Sequence, residues 1–214
     1  MINYIRSIVS SLFAVLIIFA ACGRAPKAVE GIAPEPQVLG EPIQSSANTA
    51  AFTLHRDDYD FTITPVASYE IQAEVVSTKR YRSGWNALLS PVDLALAWGE
   101  ITKPEAIKHI SFSQSNRWYH FYYDGESFYD VAFVSRHSAN VHILPANENI
   151  KDAALSISEG DHIKLTGYLV NVDGKRANGQ TVWWRSSQSR DDTGDGSCEV
   201  MWVTEIQNGA TIYR

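Results

Sequence analysis

The chain has 214 residues, of which 45% are hydrophobic, and its 18 Lys and Arg against 24 Asp and Glu give a formal net charge of −6. An acidic balance excludes a general nucleic-acid or anionic-membrane binder, which carries a basic surface. The hydrophobic share is that of a folded domain rather than of a polar, disordered chain.

In the first 23 residues the amino terminus and Arg6 form a basic region, an apolar stretch runs from Ile8 to Phe19, and Ala20 and Ala21 precede Cys22. This segment resembles the bacterial lipoprotein lipobox, with Phe19 where leucine is usual. The resemblance implies a signal peptide over residues 1–21, cleavage before Cys22, a diacylglyceryl thioether on its sulfur and a further palmitate-type chain on the new amino group. One acyl chain holds a protein marginally, whereas two or more anchor it stably. The apolar run from Ile8 to Ala21 is 14 residues, short of the ~20 that span a bilayer. Gly23, where an Asp would favour retention in the inner membrane, implies the outer membrane, facing the periplasm. Without residues 1–21 one basic and no acidic residue is lost, leaving 17 against 24 and a net charge of −7. Lipidation of Cys22 leaves Cys198 without an intramolecular disulfide partner, and Cys198 reads as a small buried hydrophobe.

Residues 22–51 are expected to be the lipidated cysteine and a flexible tether. Pro26, Pro34, Pro36 and Pro42 stand there among Ala, Gly, Ser and Gln without hydrophobic periodicity. Residues 52–214 then form one globular domain, and no internal repeat is present. Tyr69, Ile71, Ala73 and Val75 alternate with polar residues at the period of a half-buried strand. Arg117–Tyr123, Asp130–Ser135 and Val141–Leu144 are further strand candidates, the last two separated by the polar stretch Arg136–Asn140. Ile163, Leu165, Gly167 and Leu169 alternate after a Ser158–Asp161 turn. Asp173-Gly174 and Asn178-Gly179 offer the positive φ angles of hairpin loops leading to Thr181–Arg185, and a final strand covers Glu199–Ile206.

Ser90-Pro91-Val92-Asp93, followed by an apolar run and Gly99, predicts a capped helix. Thr102-Lys103-Pro104-Glu105 predicts a second helix to about His109, and a third follows Asn149 through Leu155. About five main strands, with a helix feeding a Gly-Asp turn and a strand bent at a mid-strand Gly, make the fold mainly β: a small OB-like barrel with two or three short helices. A β-sandwich or an open α+β sheet is the alternative.

Over residues 84–206, the strings Ser90-Pro91-Val92-Asp93-Leu94-Ala95-Leu96 to Gly99, Ser113-Gln114-Ser115-Asn116-Arg117-Trp118-Tyr119, His137–Ala146, Gly167-Tyr168-Leu169-Val170 and Ser189–Glu199 resemble those of an uncharacterised family of bacterial envelope proteins. The resemblance implies a folded envelope domain and brings no catalytic role.

Arg136-His137-Ser138-Ala139-Asn140-Val141-His142 is the first cluster with chemistry, since imidazoles bind metal or move protons near neutral pH. Residues five apart on a straight strand face opposite sides, so His137 and His142 converge only across a turn or bulge. A triad of Cys198, His137 and Asn140 or an aspartate needs a thiolate, yet Cys198 begins a strand rather than a helix. Asp191, Thr193, Asp195 and Gly196 open like a calcium loop, but its twelfth position is Trp202 instead of Glu, so a solvated turn is the simpler reading. Trp183 and Trp184 point to opposite faces, and with Trp118, Tyr119, Phe121 and Tyr122 they offer an aromatic surface beside Arg136 or Arg185. The function expected is noncovalent recognition of a small ligand or envelope protein by a lipid-anchored binding or assembly module, through Arg136, His137, Asn140, His142, Trp184 and Arg185. No cofactor, metal or nucleic acid enters this expectation. The alternative is a hydrolase or metal-dependent enzyme using His137, His142 and Asp191 or Asp192.

Overall fold

A computed structural model describes residues 24–125, 129–192 and 196–214, so the signal segment and Cys22 lie outside the described residues. In chain order the strands are β1 (Ile43–Ser46), β2 (Phe52–Arg56), β3 (Tyr59–Arg80), β4 (Val92–Ala97), β5 (Ile110–Ser115), β6 (Trp118–Tyr123), β7 (Ser138–Pro145), β8 (His162–Arg176), β9 (Thr181–Trp184), β10 (Glu199–Asn208) and β11 (Thr211–Tyr213). The α-helices are α1 (Pro104–Ile107), α2 (Val131–Arg136) and α3 (Glu148–Ser156). Among the described residues no helix is long and apolar enough to cross a membrane.

The main sheet runs β3–β4–β7–β10–β8 and closes back on β3. Every pair in that ring is antiparallel except β7 with β10. The third and fifth ring strands along the chain are thus the parallel neighbours, and α3 links the third to the fourth, which is an OB-like barrel. Alternation fills it: Tyr69, Ile71, Ala73 and Val75 of β3 meet Ile163 and Leu165 of β8 and Met201 and Val203 of β10 in one core. Gly167 is required where β8 crosses β10, because a Cβ there would stand 2.0 Å from the Trp202 carbonyl oxygen. Asn147 accepts the Ile150 amide as the N-cap of α3, whose Ile150, Ala153 and Ala154 join the same core.

Strand β4 stands where a helix from Ser90 to Gly99 was expected. All six of its residues are buried. Val92, Leu94 and Leu96 face the barrel core, while Ala95 and Ala97 face a second apolar layer. A run of six residues covered on both faces has no polar side to show solvent, and pairing with β3 and β7 satisfies its backbone. Residues Asp130–Ser135 differ in the opposite sense. Asp130 accepts the Phe133 amide at 2.8 Å and caps α2, which buries only Val134. The polar Ser138–Asn140 stretch is the buried start of β7 rather than a break before it. Asp173-Gly174 continues β8, and the chain reverses beyond Arg176, where Gly179 has φ +90°.

The described residues of the insertion between β4 and β7 build the second layer. Ile101, Ile110 and Val134 pack on Ala95 and Ala97 outside the barrel. The two-stranded β5–β6 sheet lies in this insertion.

The segment expected as a flexible tether is strapped to the domain from Lys27 onward. The Lys27 amide donates to Asn149 Oδ1 at 2.6 Å, Ala28 bridges Tyr213, and the Gly99 amide donates to the Val38 carbonyl. Strand β1 pairs with Ala67–Glu70, on the length of β3 left between β2 and β4. An extended chain can be held through its backbone without a periodic apolar face, and for that reason composition alone suggested a free linker. The folded unit therefore begins near Lys27, not at Phe52.

Candidate functional site

The β5–β6 hairpin turns through Asn116 and Arg117, whose φ angles are 51° and 70°, both left-handed as a two-residue loop requires. That conformation costs a bulky residue such as arginine about 1–3 kcal/mol, and its surroundings hold it. The Arg117 amide donates to Tyr81 Oη at 2.9 Å, and its carbonyl accepts from Asn140 Nδ2 at 2.9 Å. Its guanidinium donates to Asp93 Oδ1 at 2.6 Å and to the Ser90 carbonyl at 2.9 Å, lying over the Tyr81 ring. Asp93 is fully buried in the apolar run of β4, so Arg117 neutralises a carboxylate that water does not reach.

Pinning Arg117 places the next residue, Trp118, between two cavities. The first is a cleft of about 350 Å³ bordered by the aromatic β6 strand, the end of α2 and the Ser189–Asp192 loop. Glu199 and Arg190 line its inner side. Arg190 donates to Glu199 Oε1 and to Tyr69 Oη, and lies 5.3 Å from the Trp98 ring centre. Burial raises the Glu199 carboxyl to about 7, although the Arg190 charge pulls it down. Its second oxygen, Oε2, is buried and has no hydrogen-bond partner among the described residues. Burial also pushes the Tyr119 phenol up to about 12, and this hydroxyl meets Ser138 Oγ at 3.2 Å.

The second cavity, of about 360 Å³, is walled by Trp118, Trp183, Trp184, His142, Arg185 and Cys198, among others. His142 is buried, its ring centre is 4.4 Å from that of Trp184, and its Nδ1 stands 3.0 Å from Asp93 Oδ2 without hydrogen-bond alignment. Trp183 is 67% exposed while Trp184 packs into an apolar cluster, so the adjacent indoles do face apart. Arg185 donates to the Val172 carbonyl at 2.7 Å and pairs with Asp173.

Of the residues singled out from sequence, His142, Trp184 and Arg185 share this second cavity. His137 does not join them. Its ring stacks on Phe133 at 4.0 Å, Nδ1 donates to the Phe133 carbonyl at 2.8 Å, and Nε2 stands 3.3 Å from Glu41 Oε1. Arg136 pairs on the surface with Asp191 at 3.0 Å, and Asp192 accepts from Ser187 Oγ at 2.6 Å. The residues of the alternative enzyme reading therefore have separate partners and do not converge. Asn140 is buried, accepts from Gln114 Nε2 at 2.7 Å and reaches Cys198 Sγ at 3.7 Å. Burial raises the Cys198 thiol to about 12, aided by Glu199 and Asp93, so the thiolate a nucleophile needs is disfavoured. Thr193 and Asp195 of the calcium-like loop lie outside the described residues. Among the described residues no group of three or more His, Cys, Asp or Glu is placed to hold a metal ion.

The pairing of Glu199 with Arg190 and of Asp93 with Arg117 was not expected from sequence, yet two signals were present. Glu199 shares the parity of Met201 and Val203, which puts it on the inward face of its strand. Asp93 interrupts an apolar run, and a buried carboxylate demands a cationic partner. Comparisons with protein-family models, with curated proteins and with solved structures find no match to this chain.

Proposed function

We propose that this protein is a lipid-anchored binding module of the bacterial envelope that recognises its ligand noncovalently. The observation that carries the reading is the pair of cavities flanking Trp118, in which aromatic rings stand beside convergent donors and acceptors. Binding rather than turnover is supported by the state of the reactive groups: the Cys198 thiol is held protonated, and His137 and His142 occupy separate settings. The lipobox-like segment supports an anchor on Cys22 and a place at the outer membrane, facing the periplasm. Because Lys27 is already hydrogen-bonded to Asn149, Cys22 lies five residues from that contact along the chain, a length that reaches at most about 18 Å. A short leash of this kind holds the barrel beside the membrane rather than letting it range.

Cross-linking and mass spectrometry of the protein in its native envelope, compared with Cys22→Ala, tests the reading. The expected result is membrane association and discrete cross-linked partners for the wild type, with both reduced in the variant. Unchanged membrane association of Cys22→Ala removes the anchor.

A further inference from the structure

The cleft between β6 and the Ser189–Asp192 loop has a chemistry that selects among ligand classes. Its floor carries a paired Arg190 and Glu199. An anion entering it meets the carboxylates of Glu199 and Asp192, and has to take Arg190 from a partner it already holds. A cation meets the Arg190 guanidinium, which already engages Glu199, while the second carboxylate, Asp192, already accepts from Ser187 Oγ. A purely apolar ligand leaves Glu199 Oε2 buried and unpaired, at a cost of about 1–3 kcal/mol. What remains is a neutral ligand that donates hydrogen bonds at one edge and offers an apolar face to aromatic rings. Trp118 and Tyr122 supply those rings, and Tyr122 is 69% exposed, so it is free to be covered. A sugar ring has this dual character: axial C–H groups form an apolar face, and equatorial hydroxyls both donate and accept. The cleft volume of about 350 Å³ is near the lower end of small-ligand sites, about 300–1,000 Å³, which suits a ring-sized ligand rather than a long polymer.

We infer that the Trp118–Glu199 cleft is a binding site for a neutral saccharide, with one hydroxyl donating to Glu199 Oε2 and the ring stacked on Tyr122 beside Trp118. This inference rests on the binding-module reading and gives its ligand a chemical class. Hydroxyl donation to Oε2 would satisfy the orphaned acceptor while Arg190 keeps Oε1, so the ligand completes the floor without breaking the existing pair.

The test titrates full-length protein at pH 8, where Glu199 is ionised, in a sugar-free detergent, with maltose, cellobiose and chitobiose, following the indole N–H resonances by NMR; adenine and glucuronate are the comparison ligands. The expected result is saturable binding of at least one neutral disaccharide that shifts the Trp118 resonance and weakens about tenfold, equivalent to about 1.4 kcal/mol, in Tyr122→Ala and in Glu199→Gln. Thr53→Ala, on the exposed side of β2 and outside both cavities, should bind normally. Tyr122 is a surface residue, so its variant keeps the test valid even if Glu199→Gln fails to fold. Absence of saturable binding by all three disaccharides, or equal binding of adenine or glucuronate, overturns the saccharide assignment. If envelope cross-linking still yields partners in that case, the module reading survives and only the ligand class falls.

Discussion

Arg117 and Asp93 meet at 2.6 Å, joining the tip of the β5–β6 hairpin to the start of barrel strand β4. Asp93 is fully buried, whereas the Arg117 side chain is 13% exposed. The pair therefore couples a left-handed backbone turn, a buried carboxylate and the position of Trp118. Removing Arg117 leaves the buried Asp93 carboxylate without its guanidinium. Arg117→Ala is expected to destabilise the protein by about 3–5 kcal/mol in urea unfolding. Arg185→Ala, which breaks the surface pair with Asp173, is expected to change stability by less than about 1 kcal/mol. Equal effects from the two variants would contradict the pin.

Glu199 makes stability depend on pH in a direction opposite to an ordinary ion-paired carboxylate. Burial raises it from 4.5 to about 7, so between those values the folded protein holds a proton that the unfolded chain releases. Its contribution to stability accordingly falls as pH rises through that window, and the loss is complete above it. The size is on the order of 1–3 kcal/mol. Thermal or urea unfolding from pH 5 to pH 8 should show this decline in the wild type and a flatter profile in Glu199→Gln, which keeps an acceptor for Arg190. Parallel profiles would place the titration elsewhere.

Cys198 is expected to resist alkylation in the native state, because burial holds its thiol at about 12 and the thiolate is the reacting form. Iodoacetamide at pH 8, followed by mass spectrometry, should leave Cys198 unmodified until denaturant is added. Rapid labelling of folded protein would reopen a nucleophilic role.

The strap is expected to act through β3. Deleting residues 24–46 removes β1 from Ala67–Glu70 and takes Glu41 from Trp98, whose Nε1 donates to it at 3.0 Å. Hydrogen exchange should then accelerate at residues 67–70 while the β8 and β10 core stays protected. Unchanged exchange there would mean that the strap contributes nothing to the edge it covers.

The barrel was readable because its long strands alternate: Tyr69 to Val75 and Ile163 to Leu169 fall where the period of two puts them, and Glu199 to Ile206 is the expected last strand although a bulge between Val203 and Glu205 shifts its parity. Strand β4 was not, because a strand buried on both faces loses that period, and Ser90-Pro91 imitates a helix start. Helix α2 was missed for a related reason. Val131–Arg136 is so short that one buried residue, Val134, carries its packing. The aromatic surface was partly legible, since Trp118, Tyr119, Phe121 and Tyr122 do line one cleft and Trp184 and Arg185 another. The floor of the first cleft was hidden. Arg190 and Glu199 come together only when a loop folds back over the barrel, and no local spacing announces that contact.

The most direct test of the binding-module account is site-specific photo-cross-linking in intact envelope, with a benzophenone side chain in place of Tyr122. An equivalent probe replaces Thr53, on the exposed side of β2. The account predicts a discrete adduct from position 122 and none from position 53. Equal or absent labelling at both would contradict it.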